Sequence, residues 1–139
     1  MPVVTRLVTH VELDEVATTP SQLSVSARLE AELSDGRPLV LLDDRGWSES
    51  VLGDGDLRDL LDVADIEDTA RTVVGPDEPF GDETREEADA AHWSALAAHV
   101  EAKAPGVRVV GAELAGLTHD VVLGEGLRRW AGLDTPRTD

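Results

Sequence analysis

Apolar and polar residues alternate along the first quarter of the chain. Residues 3–13, VVTRLVTHVEL, place their apolar side chains mainly on one face, with threonines between them. Residues 23–34, LSVSARLEAELS, alternate at every position. A period of two residues is typical of a β-strand with one buried face. The pattern therefore predicts two strands, although the ARLEAEL half of the second segment also has helical propensity.

A hairpin turn is predicted after the second strand. Asp35 and Gly36 form a pair that tolerates positive φ and favours a two-residue turn between antiparallel strands. Such a turn would place Leu33 opposite Pro38, and proline is acceptable as the first residue of a strand. These residues predict a third strand that runs antiparallel to the second.

The third strand is expected to be short. The run PLVLL, residues 38–42, is apolar on both faces, which is typical of a strand that is covered on both sides. Asp43 and Asp44 follow directly, and Gly46 comes two residues later. Because aspartate and glycine are common in turns, the strand is predicted to end at residue 42 and to be followed by a turn.

From residue 53 onward the apolar spacing changes to three and four residues, which is typical of amphipathic helices. Two short helices are predicted over residues 53–64 and 65–76. A long helix is predicted to follow and to end near Ala104. Its start is indicated by Thr84 and Glu87, which have the spacing of a capping box.

The last third of the chain completes an α+β fold. The segment VRVV, residues 107–110, predicts a fourth strand, and residues 127–133 predict a closing helix. Residues 118–126 fit either a strand or a helix. The sum is a three-stranded antiparallel run plus a fourth strand, packed with three to four helices. We expect a single domain over residues 1–133 and a frayed C-terminal tail over residues 134–139.

Two short segments, LLDDRGW and GPDEPFG, resemble segments of small acidic proteins from bacteria with high-GC genomes. The composition agrees with such an origin, because the chain has eleven arginines but a single lysine. No activity is known for those proteins. The resemblance therefore implies no function and assigns no role to any residue.

The composition excludes several classes of site. The chain contains no cysteine, so disulfides, thiolate metal sites and cysteine nucleophiles are excluded. It has no apolar run near the ~20 residues of a membrane helix and no signal-peptide pattern at its start. A cytoplasmic protein that binds no membrane is therefore expected. No pattern indicates a cofactor, and the oligomeric state stays open, with a homodimer as one alternative.

The charge of the chain is strongly negative. With 29 acidic and 12 basic residues, the net charge is −17. The excess is concentrated in residues 43–92, which carry 17 acidic and 4 basic residues, a net charge of −13. Direct binding to nucleic-acid phosphates or anionic lipids is not expected, because both would be repelled. An origin of the charge in solubility or salt adaptation alone is left open.

The acidic residues also predict a binding surface. Aspartates recur at every third position from residue 56 to residue 65, and residues at this spacing are neighbours on a helix. With glutamates near the start of the long helix they favour a non-enzymatic module that binds a basic protein, for example as an inhibitor or immunity-like partner. The residues of this predicted acidic patch are Asp56, Asp59, Asp62, Asp65, Glu83, Glu86 and Glu87.

Histidine spacing suggests a second function class, a small metal-dependent hydrolase. Asp89 and His92 lie three residues apart and His92 and His99 seven apart, so all three would lie near one side of the long helix. A metal site needs at least three converging ligands, and a further ligand from elsewhere in the chain would be His119 or Asp120. Nothing else in the sequence points to an enzyme, since it has no nucleophile elbow, phosphate-binding glycine loop or dinucleotide fingerprint.

Overall fold

The fold is a four-stranded mixed sheet that packs against helices on one face. The computed structural model describes residues 2–51, 55–59, 62–76 and 78–132. The strands lie in the order β3-β2-β1-β4, where β1 is Val4–Leu13, β2 is Gln22–Leu33, β3 is Pro38–Ser50 and β4 is His119–Leu123. The helices are α1 at Val63–Val73, α2 at Arg85–Lys103, α3 at Gly111–Ala115 and α4 at Glu125–Trp130. This architecture confirms the predicted α+β class.

The two predicted N-terminal strands are confirmed. β1 and β2 pair antiparallel, and every odd-numbered residue of β2 from Leu23 to Leu33 is buried. The even-numbered residues of β2 are exposed or partly buried on the opposite face. The alternation in the sequence therefore marks the face on which the helices pack. Burial of that face stabilises the fold by about 25 cal/mol for each Å² of apolar surface removed from water.

The turn between β2 and β3 is one residue longer than predicted. Gly36 donates its N–H to the Leu33 carbonyl at 2.9 Å, and Leu33 donates to the Arg37 carbonyl at 2.9 Å. Glu32, and not Leu33, is opposite Pro38. Gly36 has a φ of +88°, the left-handed conformation at the end of a three-residue hairpin loop. The predicted two-residue turn is therefore wrong, because the glycine occupies the third loop position.

β3 continues to Ser50, well beyond its predicted end at residue 42. The pairing of β3 with β2 shifts register between Leu42 and Arg45. Asp43 and Asp44 fall within this shift, are exposed, and form a β-bulge where a turn was predicted. A bulge admits extra polar residues into a strand without ending it, which is why the break in the apolar run was misleading.

The region before α1 is less helical than predicted. Leu57–Asp59 form a 3-10 turn, and α1 begins at Val63. Asp62 is the N-cap of α1 and accepts a hydrogen bond from the Asp65 backbone N–H at 2.8 Å. In the part that the structure describes, residues 53–64 therefore form a 3-10 turn and the start of α1. The prediction of one continuous helix over residues 53–64 is wrong.

The long helix α2 begins with its predicted capping box. Thr84 Oγ1 accepts a hydrogen bond from the Glu87 N–H, and the Glu87 side chain accepts one from the Thr84 N–H, both at 3.1 Å. Leu96 and Val100 bury the inner face of α2 in the core. The short helix α3 follows after an irregular segment and inserts Leu114 into the same cluster of buried residues.

The fourth strand is not the predicted VRVV segment. Residues 107–110 form no regular element, whereas residues 119–123, HDVVL, form β4. β4 pairs parallel to β1 at the edge of the sheet, with His119 opposite Leu7. Val107 is nevertheless buried in the core, which explains the apolar character of the mispredicted segment.

Two clusters of buried side chains lie between the sheet and the helices, one around Leu29 and Leu114 and the other around Leu127 of α4. Thr9 is the only buried polar residue among those that the structure describes. Within the same ranges, no helix is both long and apolar enough to cross a bilayer. The predicted frayed tail, residues 134–139, lies outside the described residues.

Candidate functional site

The predicted acidic patch is divided into two groups of carboxylates. The first group lies just before α1 and in its first turn. Asp56 is paired with Arg58, whose hydrogen bonds lower the pKa of Asp56 from 3.8 to about 2. Asp62 caps α1, and Asp65 lies in the first turn, where the helix dipole favours a negative charge. The side chain of Asp59 lies outside the described part of the chain.

The second group lies in the segment from the end of α1 to the second turn of α2. Residues 78–89 contain six carboxylates and one arginine, a net charge of −5. Glu87 belongs to the capping box, and Glu78 forms an ion pair with Arg85 at 3.1 Å. All six are exposed except Asp89, which is partly buried. The six carboxylates are Glu78, Asp82, Glu83, Glu86, Glu87 and Asp89.

The two groups lie near opposite ends of α1. His92 Nε2 lies 3.0 Å from the carbonyl oxygen of Val74, so the early part of α2 is beside the C-terminal end of α1. Asp62 is at the other end, roughly 18 Å away for a helix that rises 1.5 Å per residue. The structure thus places Glu83 and Glu86 in the second group of carboxylates, apart from the aspartates of the first group.

An exposed aromatic side chain lies within the second group. Phe80 is 90% exposed and is the only phenylalanine of the chain. Glu83 donates its backbone N–H to the Phe80 carbonyl at 3.1 Å, which closes a turn. Gly81 within this turn has a φ of +62°, a conformation that glycine adopts without strain. The turn therefore holds an aromatic ring in solvent between carboxylates.

Phe80 was not among the predicted site residues. Its signal in the sequence is a single phenylalanine between Pro79 and Gly81, in a loop rich in acidic residues. A phenylalanine in a loop can also fold back onto the core, however. Tertiary packing, which the local sequence does not encode, decides between the two arrangements.

The candidate metal ligands are not brought together. His92 contacts the end of α1, His99 is exposed on α2, and His119 lies on β4 against Thr9. Asp89 lines a groove between α2 and α3. Among the described residues, no group of three or more His, Asp or Glu side chains could hold a metal ion. The geometry in this part of the chain therefore gives no support to a metal-dependent hydrolase.

His119 and the next residue project to opposite faces of β4. His119 faces the helices, where its Nε2 lies 2.6 Å from Thr9 Oγ1. Asp120 faces the open side of the sheet and pairs with Arg6 at 2.6 Å. Burial, together with the nearby positive charge of Arg71, lowers the pKa of His119 below its ordinary value of 6.5. The ring is therefore neutral at neutral pH and belongs to the packing between sheet and helices.

We expect His119 to make the protein less stable on mild acidification. Because its pKa is lower in the folded protein, the unfolded chain binds more protons between the folded-state pKa and 6.5. Its contribution to stability is present above pH 6.5 and is lost as the pH falls through the folded-state pKa. Urea unfolding at several pH values should therefore show a steeper loss for the native protein than for His119→Asn.

His99→Asn is the matched control for this measurement, because His99 is exposed on α2. It should keep the pH dependence of the native protein. If both variants changed the pH dependence equally, or if neither changed it, the role given to the buried ring would be wrong. Comparison between variants cancels the titration of the many carboxylates, which all three proteins share.

Comparison of the chain with protein-family models, curated proteins and solved structures found no match. The resemblance suggested by the segments LLDDRGW and GPDEPFG therefore stays a prediction. Any assignment of function rests on the described residues themselves, among which the acidic segment around Phe80 combines an exposed aromatic ring with exposed carboxylates.

Proposed function

We propose that the protein is a non-enzymatic module that binds a basic protein through residues 78–87, here named the acidic turn. The observation that carries the proposal is the 90% exposure of Phe80 between carboxylates. Aromatic residues are prominent in protein interfaces, where a few side chains that fill pockets of the partner provide most of the binding energy. The acidic turn combines such an anchor with charge that attracts a basic surface.

The charge supports a basic partner in particular. A net charge of −17 accelerates the approach of a positively charged protein and slows that of a negatively charged one. A protein that normally grips nucleic acid has a basic surface suited to phosphates. The carboxylates of the acidic turn would compete for such a surface, which is how an inhibitor or immunity-like partner acts.

The backbone of the acidic turn is held in place before any partner arrives. The hydrogen bond between Glu83 and Phe80 closes the turn, and the capping box of Thr84 and Glu87 fixes the start of α2. A preorganised segment loses less conformational entropy on binding than a disordered one. This geometry supports recognition by the acidic turn as a unit.

The proposal can be tested by photo-cross-linking in the native host. Benzoylphenylalanine at position 80 is expected to capture a protein of basic pI, whereas the same group at position 99, exposed on α2, should not. With the captured protein purified, Phe80→Ala should weaken binding about tenfold or more, as expected for an interface hot spot. The double variant Asp82→Asn/Glu86→Gln should lower the association rate and its dependence on salt.

The matched control is Asp43→Asn/Glu101→Gln, which removes one exposed aspartate and one exposed glutamate outside the acidic turn. It should leave the affinity nearly unchanged. Equal effects of the two double variants, or capture of the same proteins from positions 80 and 99, would contradict the proposal. If no partner is captured and stability rises steeply with added salt, salt adaptation is the better explanation of the charge.

A further inference from the structure

We propose that the groove between α2 and α3 receives an arginine side chain from the basic partner. This inference rests on the proposed function and adds a second point of contact to it. The groove has a volume of about 470 Å³, within the range of pockets that bind small molecules and single side chains. It is lined mainly by apolar groups, with one carboxylate, that of Asp89.

Two backbone segments among the residues that line the groove are in close contact. A Cβ atom on Gly111 would lie 2.9 Å from the Ser94 backbone nitrogen and 3.0 Å from the Trp93 carbonyl carbon. Real Cβ atoms rarely come so near to backbone atoms, so only glycine lets α3 rest against α2 at this point. The two helices therefore lie close together, and small alanine side chains line the cleft between them.

The lining has the chemistry that recognises a guanidinium group. The Asp89 carboxylate has no hydrogen bond or ion pair with any residue that the structure describes. Trp93 provides an indole ring, and Val110, which is 58% exposed, provides an apolar edge. An arginine stem can lie along apolar groups while its planar guanidinium pairs with a carboxylate and stacks on an indole ring.

Charge and shape select against other occupants. An anionic ligand would be repelled by Asp89 and by the net charge of −5 over residues 78–89. A second copy of this chain would bring a further −17 to the contact. A lysine would also be attracted, but its compact ammonium cannot pair with a carboxylate in bidentate fashion or stack in a plane. Arginine therefore matches both the carboxylate and the apolar and aromatic lining of the groove.

The experiment titrates the uniformly ¹⁵N-labelled protein with N-acetyl-arginine amide and follows the backbone amides and tryptophan indoles by NMR. The probe is expected to saturate shifts at Ala90, Ser94 and Ala112 and at the indole of Trp93, with affinity of about millimolar for one side chain. N-acetyl-citrulline amide has the same shape without the charge. It should bind about fivefold more weakly or not at all, because its neutral ureido group can still donate hydrogen bonds to Asp89 but forms no ion pair with it.

Two variants and a control distinguish binding of arginine in the groove from its attraction to the negative charge of the whole protein. Asp89→Asn should weaken arginine binding about fivefold, and Ala112→Leu should block it by filling the groove. Glu101→Gln removes one exposed charge from α2 outside both the groove and the acidic turn and should leave binding intact. Equal loss in Glu101→Gln and Asp89→Asn, equal binding of arginine and citrulline, or tighter binding of Nα-acetyl-lysine amide would overturn the proposal.

Phe80→Ala separates this inference from the proposed function. Because Phe80 is not part of the groove lining, its replacement should leave the arginine titration unchanged. If arginine does not bind but Phe80 still contacts a basic partner, only the proposal for the groove is wrong. If cross-linking fails but arginine binds, only the proposal for the acidic turn is wrong.

Discussion

Replacing Leu114 with alanine is expected to lower the free energy of unfolding by about 3 kcal/mol, within the range measured for fully buried leucines. Leu114 has no exposed surface and is the only buried residue in α3, which is five residues long. A helix of this length has little stability of its own, so packing of Leu114 holds it in place. Urea unfolding, followed by far-UV circular dichroism, measures the loss.

Glu113→Ala is the control for this prediction, because the neighbouring Glu113 is exposed in the same helix. Its effect should stay within about 0.5 kcal/mol, as for most surface substitutions. If arginine binds in the groove as proposed, Leu114→Ala should also abolish the NMR shifts that report this binding, since one wall of the groove is α3. Similar stabilities of the two variants would show that α3 is not anchored through this side chain.

Gly46→Ala is expected to destabilise the protein by about 2 kcal/mol, although Gly46 lies on the surface. A Cβ atom there would lie 2.5 Å from the Val25 carbonyl oxygen and 3.3 Å from the Ser26 Cα on the neighbouring strand. Both are backbone atoms of β2, so relief requires the two strands to move apart. Chemical unfolding with tryptophan fluorescence measures the effect, because Trp47 is the next residue in β3.

Ser48→Ala provides the comparison, because Ser48 is two residues further along β3 and is also exposed. Position 48 already carries a Cβ atom, so this change should cost less than about 0.5 kcal/mol. A small effect of Gly46→Ala as well would mean that β3 adjusts easily. The close approach of β3 to β2 would then be without energetic consequence.

Elements with a local signal could be predicted from the sequence. β1 and β2 alternate with a period of two, and α2 starts with the complete pair of Thr84 and Glu87. The continuation of β3 through Asp43 and Asp44 could not be predicted, because a bulge and a turn use the same residue types. The local sequence does not indicate whether the backbone of β3 pairs with β2 again after the bulge.

The position of the fourth strand depends on contacts that are distant in sequence. VRVV and HDVVL are both short and rich in valine, so propensity does not separate them. Only HDVVL pairs with β1, where His119 lies opposite Leu7. The predicted acidic patch shows the same limit. Its charges could be read from the sequence, but their division into two groups depends on where α1 starts and where α2 packs against the far end of α1.

The parallel pairing of β4 with β1 has a consequence for the order in which this protein folds. Leu7 and His119 lie at opposite ends of the chain, whereas β1, β2 and β3 are joined by connections of only eight and four residues. Contacts between distant residues require closure of a long loop, and this slows their formation. On the ribosome the meander of three strands can form early, but the sheet is completed only after the whole α2–α3 region has emerged. The edge of the sheet formed by β4 is therefore among the last parts of a newly made molecule to take shape.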